Sequence, residues 1–464
     1  MNSIKFFLFL LILPISGFSQ ITRITGIAPG AEGRIIRLVA PGDLITFVEK
    51  NLSQANIDSA GKFTISVELY TPIYAGFTID FHRADLYLEP GKTYFMKCVP
   101  MNYKVTTEVN PLIQSESIQI EALNSDSDDL NFLIQQFNVL YNNFLLENFN
   151  ALYRDRNKAK LDTFRTNIVT SFKDTKNFYF ACYIRYKLAG LEQLAQTLGK
   201  PQIAKKYFMD YPVLYENTEY MDFFNQFFSK YLTVTSKATK FNDFPKMIST
   251  IGSYQNMMKA LAQDSVLRKP QLRELVMLKN LMEMFNMPGY NQESILSLLE
   301  TISKESKFDG NKVVAEDMIK FLTKLRIGTP APAFTLQDRY REKVSLKDFK
   351  GKPVLLNFWT TYCQGCLTEM DLLKPICDKY KDKIFFVSIS ADYQFQKMVY
   401  FVSMKKDFDW IFLHIGDKIQ LLKDYDVRTY PLYVLIDEQG KIVKYPADLP
   451  SNGLEATLEK MVSK

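Results

Sequence analysis

One stretch constrains the chain more than any other: PVLLNFWTTYCQGCLTE, from Pro353 to Glu369. Its apolar run, Val354 to Trp359, is bounded by Gly351-Lys352-Pro353 before and Thr360-Thr361-Tyr362 after. Such a run with turn residues at both ends reads as a strand buried on both faces, of the sort found at the centre of a parallel sheet. Cys363 and Cys366 follow directly, separated by Gln364-Gly365, and helical residues continue to about Lys381. One thiol then sits at a helix N-terminus and the other a turn inside. Unpaired backbone N–H groups and the positive end of the helix dipole favour a thiolate at Cys363. The spacing lets the sulfurs reach bonding distance without moving the strand. That geometry serves reversible dithiol–disulfide exchange.

Other uses of a CxxC fit less well. A zinc site needs four ligands, and the chain has no second CxxC and only His82 and His414 as imidazoles. No metal is expected. A structural staple across so short a loop would remove little chain entropy.

At 464 residues the chain is long enough for about three domains. Its net charge of +6 is spread along the chain, so no nucleic-acid partner is expected. Residues 1–19 read as a secretory signal peptide: Lys5, then the apolar run Phe6 to Ile15, then small residues Gly17 and Ser19 before Gln20. The run is short for a membrane span. The mature protein is expected in the periplasm or cell envelope, where disulfides persist. Cys98, Cys182 and Cys377 lie outside the motif, and the sequence leaves open whether Cys98 pairs with Cys182.

Taken in order, residues 20–108 form a first domain, in which the stretch from Ile21 to about Pro100 alternates like an antiparallel sheet. Phe63, Ile65, Val67 and Leu69 face one way and Thr64, Ser66 and Glu68 the other, which predicts a β-sandwich. Phe77, Ile79 and Phe81 alternate again, so His82 is expected on the solvated face with Thr78 and Asp80. Residues 109–326 turn helical. Asn124-Ser125-Asp126-Ser127-Asp128-Asp129 supplies N-cap chemistry for a helix through Leu130, Leu133, Phe137 and Tyr141. The aromatic group Phe223, Phe224, Phe227, Phe228 and Tyr231 reads as buried core rather than a partner face. The Pro-rich segment Ile327 to Phe334 marks a boundary, and residues 327–464 alternate strands and helices. The predicted fold is multidomain: β-sandwich, all-α middle, α/β C-terminus.

The C-terminal residues resemble the thioredoxin superfamily and, within it, the TlpA/ResA-like extracytoplasmic thiol–disulfide oxidoreductases. Gly328-x-Pro330-Ala331-Pro332-x-Phe334, Ser345-Leu346 and Gly351-Lys352 match that group's approach to the central strand. Asn357-Phe358-Trp359, Cys363-x-x-Cys366 and Glu369 match its redox motif, and Tyr430-Pro431 with Leu432 to Asp437 and Gly440 matches its cis-proline strand and hairpin. The sequence departs in having Tyr362 before the first cysteine and Gly365 before the second. Residues 20–326 resemble, less sharply, the β and helical regions fused ahead of such modules in bacterial envelope proteins.

The resemblance implies a thioredoxin-like fold for 327–464 and assigns roles. Cys363 is the nucleophile and Cys366 the resolving thiol. Asn357 stands where thioredoxin has a buried Asp, which leaves Glu369, one turn beyond Cys366, as the nearest base. Glu369 reads equally as a first-turn acid favoured by the helix dipole. Pro431 is expected cis, with the Tyr430 backbone beside the substrate. Trp359 is placed with them on the substrate side, packing beside the motif and shielding it, and plain core packing explains it as well. His414 and Cys377 read as core. No cofactor is implied; the implied partners are disulfide-containing envelope proteins and a membrane electron donor.

Two rival readings remain at this point: a peroxiredoxin-like thiol peroxidase, and a partner-binding envelope protein with an ancillary thioredoxin module. A peroxidatic cysteine is preceded at fixed spacing by a Pro and by a Thr or Ser. Counting back from Cys363 gives Leu356 and Thr360, and from Cys366 gives Trp359 and Cys363, so neither set fits. An intact CxxC with a cis-proline motif argues against an ancillary module.

Overall fold

The computed structural model describes residues 19–80, 82–100, 117–122, 128–236, 248, 254–416 and 418–463. Residues 1–18 of the expected leader, Phe81, and Asn124 to Ser127 of the expected cap lie outside them.

The N-terminal region forms eight strands: β1 Gln20–Ile27, β2 Ile35–Pro41, β3 Glu49–Asn56, β4 Lys62–Leu69, β5 Ile73–Ile79, β6 His82–Leu88, β7 Thr93–Cys98 and β8 Ile120–Ala122. They make two four-stranded sheets, ordered β4-β1-β7-β8 and β3-β2-β5-β6. The alternation in β4 drives this: Phe63, Ile65 and Leu69 are buried while Thr64, Ser66 and Glu68 are exposed. Ile24, Leu38, Phe63, Phe77 and Met96, drawn from both sheets, share one core. The turn before β4 is shaped by Asp58, whose Oδ1 accepts the N–H groups of Ala60 and Lys62, both at 2.8 Å.

Three expectations change here. The pairing is not wholly antiparallel, because β1 runs parallel to β7. The β region extends past residue 108, since β8 pairs with β7 as far as Ala122. His82 is not solvated but 2% exposed. The cause is local: Asp80 takes a left-handed φ of 52°. The hairpin then pairs Ile79 with His82 and resets the alternation, so His82 points inward with Ala84.

The middle region is helical: α1 Leu130–Tyr153, α2 Lys158–Ser171, α3 Phe178–Leu194, α4 Thr218–Phe227, α5 Tyr254–Leu261, α6 Pro270–Met284, α7 Gln292–Glu305 and α8 Asp309–Thr323, with shorter turns between. Asp129 caps α1, its side chain accepting the N–H groups of Asn131 at 2.9 Å and Phe132 at 3.2 Å. Phe223, Phe224, Phe227, Phe228 and Tyr231 are all buried in one core, with the rings of Phe224 and Phe228 5.0 Å apart. Cys182 belongs to that core and Cys98 to the β core, and both are free thiols. They do not pair.

The C-terminal region is one seven-stranded sheet ordered β10-β9-β13-β12-β11-β14-β15. Its strands are β9 Thr335–Asp338, β10 Lys343–Ser345, β11 Val354–Trp359, β12 Phe385–Ser390, β13 Ile411–His414, β14 Leu432–Ile436 and β15 Ile442–Lys444. The helices are α9 Gln364–Tyr380, α10 Phe395–Met404, α11 Gln420–Asp424 and α12 Leu454–Val462. All six residues of β11 are buried. Val354, Leu356 and Phe358 enter the core on one face of the sheet, and Leu355 and Trp359 the core on the other. Burying a side chain of this size contributes about 1.5–3 kcal/mol. Such a strand is stable only at the middle of the sheet, where it anchors the loop that follows. The β region touches this module directly. Arg34 Nη2 donates to the Tyr393 hydroxyl at 2.6 Å, and Lys423 pairs with Glu49 at 3.1 Å.

Candidate active site

The chain leaves the carboxyl end of β11 through Thr360-Thr361-Tyr362 and enters α9 at Cys363. Cys363 is the N-cap, with extended φ −86° and ψ 95°. Its Sγ accepts the Cys366 N–H at 3.1 Å, meeting one of the helix's otherwise unpaired donors. The two cysteines form a disulfide, with Cα atoms 5.2 Å apart. Cys363 is half-buried, whereas Cys366 is 0% exposed. Beneath them, Cys366, Met370 and Leu373 share a core with Trp359 and Tyr433.

Pro431 is cis. The antiparallel register pairs Phe358 with Leu432. Pro431 therefore lies level with Trp359, at the end of β11 from which the redox loop leaves. Tyr430 and Pro431 are both half-buried. Burial pushes the Tyr430 phenol well up, helped by Tyr362 and by the charge of Asp392.

Trp359 corrects one expectation. It is 0% exposed, with its ring 4.8 Å from that of Phe401 and 6.0 Å from that of Phe412. A side chain with no surface cannot touch a substrate, so its contribution is the floor of the site. Asn357 is 1% exposed and committed elsewhere. Its Oδ1 accepts from Ser388 Oγ, which in turn accepts the Trp410 indole N–H at 2.7 Å.

Glu369 lies one turn beyond Cys366, and its carboxylate is held by the loop before α12. Ser451 donates its N–H at 3.0 Å and its hydroxyl at 2.5 Å to the two oxygens. The charge of Glu369 reaches the buried Tyr433 phenol, which burial first and Glu369 second push upward. His414 and Cys377 are buried as expected. His414 Nδ1 accepts the Gly416 N–H at 3.0 Å, and burial lowers the ring's proton affinity against the opposing pull of Asp392.

Asp392 was not singled out from sequence. It is 2% exposed and takes hydrogen bonds from the Thr361 N–H at 3.0 and 3.1 Å, the Thr361 hydroxyl at 2.7 Å and the Ser390 hydroxyl at 2.8 Å. Asp392 lies two residues past β12, at the carboxyl edge of the sheet, where sites in such folds collect.

Residues 327–445 match the AhpC/TSA family. The thiol-disulfide oxidoreductase ResA of Bacillus thuringiensis subsp. konkukian is 38% identical over 123 residues, which are 26% of this chain and 69% of that protein. The thioredoxin-like protein YneN of Bacillus subtilis is 36% identical over 115 residues, 25% of this chain and 68% of that protein. A solution structure of a thiol:disulfide interchange protein from Bacteroides sp. is 31% identical, covering 30% of this chain and 93% of that one, with a TM-score of 0.28. With a buried strand leading into a disulfide at a helix start, and relatives of this identity over two thirds of their own length, the chain belongs to the ResA-like thiol–disulfide oxidoreductases of the thioredoxin superfamily.

Proposed function

We propose that this enzyme is exported and reduces or isomerises disulfides of envelope proteins. The observation that carries the reading is the asymmetry of the pair, a half-buried Cys363 at the helix start and a fully buried Cys366 behind it, at the sheet end that also carries cis-Pro431. The Cys363 thiolate attacks one sulfur of a substrate disulfide, and the other substrate sulfur leaves as a thiolate. Cys366, giving its proton toward Glu369, then attacks the Cys363 sulfur and releases the reduced substrate. Two electrons have passed, and the Cys363–Cys366 disulfide is the product state of the enzyme. A membrane electron donor returns it to the dithiol. An extended substrate segment pairs with the backbone at Tyr430.

The direction follows from the dipeptide. Strong oxidants of this superfamily stabilise the reduced form, and Gln364-Gly365 offers neither charge nor imidazole to do so. A peroxidatic reading has Leu356 and Trp359 where its proline belongs.

A Cys366→Ser variant tests the substrate class by arresting the mixed disulfide. Expressed at native level, it is expected to yield thiol-reducible adducts with exported proteins, absent from Cys363→Ser. Adducts confined to cytosolic proteins, or an equal set from both variants, would refute the reading. N-terminal sequencing of the envelope form is expected to begin near Gln20; a protein retaining Met1 would instead be anchored by its leader.

A further inference from the structure

We propose that Asp392 is a positioning residue of the redox centre: its carboxylate holds the loop that carries Cys363, and its charge biases the Cys363–Cys366 couple toward the disulfide. Asp392 follows β12, which runs parallel to β11, so both strands deliver their next residues to the same edge of the sheet. The carboxylate reaches 31 positions back along the chain to Thr361, two residues before Cys363, and takes both its N–H and its hydroxyl.

The charge is the informative part. The partners of this buried carboxylate are neutral donors on Thr361 and Ser390, and among the described residues no Lys or Arg pairs with it. A group needed only to tie a loop would not require a charge, since an amide or hydroxyl accepts the same bonds without the desolvation cost of an ion. The charge is felt on both sides of the site. The phenols of Tyr362, beside Cys363, and Tyr430, beside Pro431, are raised by burial first and by Asp392 in addition. His414, the other titratable group facing Asp392, is held toward its neutral form by burial. An anion placed here opposes a second anion on the Cys363 sulfur. The disulfide carries no charge and is not opposed, so the couple shifts toward the oxidised pair.

The short loop after β12, which carries Asp392, is braced from outside. The Tyr393 hydroxyl accepts from Arg34, which is ion-paired with Asp80 in the β region. The loop is thus fixed at one residue by the redox module and at the next by the N-terminal region.

The direction of the bias agrees with the reductase reading, but the test compares variants with the parent and stands apart from it. Full-length parent, Asp392→Asn, Asp392→Ser and Thr361→Val proteins are equilibrated with glutathione redox buffers, and folding of each is checked by thermal melting. Both Asp392 variants are expected to shift the equilibrium about tenfold toward the dithiol, which is about 30 mV upward. Thr361→Val removes a neutral donor and keeps the charge, so its shift is expected to be absent or opposite. An Asp392 variant with an unchanged equilibrium would overturn the proposal. So would Thr361→Val shifting as far and in the same direction, because both would then act only by loosening the loop. The parent's own potential reports separately on whether the enzyme is a reductant.

Discussion

Cys366 donates its backbone N–H to the Cys363 sulfur at 3.1 Å, yet within that single turn Cys363 is half-buried and Cys366 has 0% of its surface exposed. One sulfur can meet a substrate and the other can meet only its neighbour. The order of attack proposed above, Cys363 first and Cys366 second, rests on that difference.

In the reduced protein, iodoacetamide is expected to modify Cys363 at least about tenfold faster than Cys366 at neutral pH, because alkylation needs an accessible thiolate. Mass spectrometry of the two single-cysteine variants over a time course measures both rates. Faster modification of Cys366 would reverse the roles.

The remaining thiols should be silent. Burial raises the Cys98 thiol to about 11 and the Cys182 and Cys377 thiols to about 12. At pH 8 their thiolate fractions are about one in a thousand or lower. Thiol titration of the oxidised native protein is expected to find none of them, and titration in guanidinium to find all three. A native protein that already reacts would place one of them at the surface.

Stability should fall in alkali rather than in mild base. Cys98 is raised from 9.0 to about 11, and Tyr141 and Tyr215 are raised from 10.0 to about 12, each chiefly by burial. For a group raised in the folded state, the stabilisation is fully present below its unfolded value. It is lost as pH climbs through the folded one, because the unfolded chain releases its proton first. Urea midpoints are expected to show no loss from these groups below about pH 9 and then to decline toward pH 12. A loss that began near pH 7 would require a different titrating group.

Glu369 is held by Ser451, whose N–H and hydroxyl occupy its two oxygens. Glu369→Gln is expected to slow resolution of the mixed disulfide by about 100-fold, the lower end for a lost general base, and the first attack much less. Ser451→Ala frees one oxygen and should have a smaller effect on the same step. Stopped-flow reduction of a model disulfide separates the two phases, and an unchanged second phase would leave Glu369 only as the carboxylate that anchors Ser451.

The parts of this fold that were legible in the sequence are those where burial is two-sided or strictly periodic. Val354 to Trp359 announced itself because every residue of β11 is buried, and β4 because its faces alternate cleanly. Thr335–Asp338 and Lys343–Ser345 carry little strand signal, being short, half-exposed and at or next to the sheet's edge. The parallel pairing of β1 with β7 was invisible for another reason: alternation records which face is buried, not which strand lies alongside. His82 was misplaced because one left-handed residue, Asp80, shifted the phase of the strand after it. At the site, the CxxC, Glu369 and Pro431 carried local signals. Asp392 did not, because its partner lies 31 residues away and only the parallel pairing of β12 with β11 brings them together.

The most direct test of the account is the reduction potential of the Cys363–Cys366 couple in the full-length protein, measured by equilibration against glutathione buffers. With an uncharged Gln364-Gly365 dipeptide and the carboxylates of Asp392 and Glu369 disfavouring a further anion, the disulfide should be hard to reduce. The predicted value lies below about −200 mV, nearer thioredoxin than the strong envelope oxidants. A value near about −120 mV would contradict the reductase reading and make the enzyme a donor of disulfides.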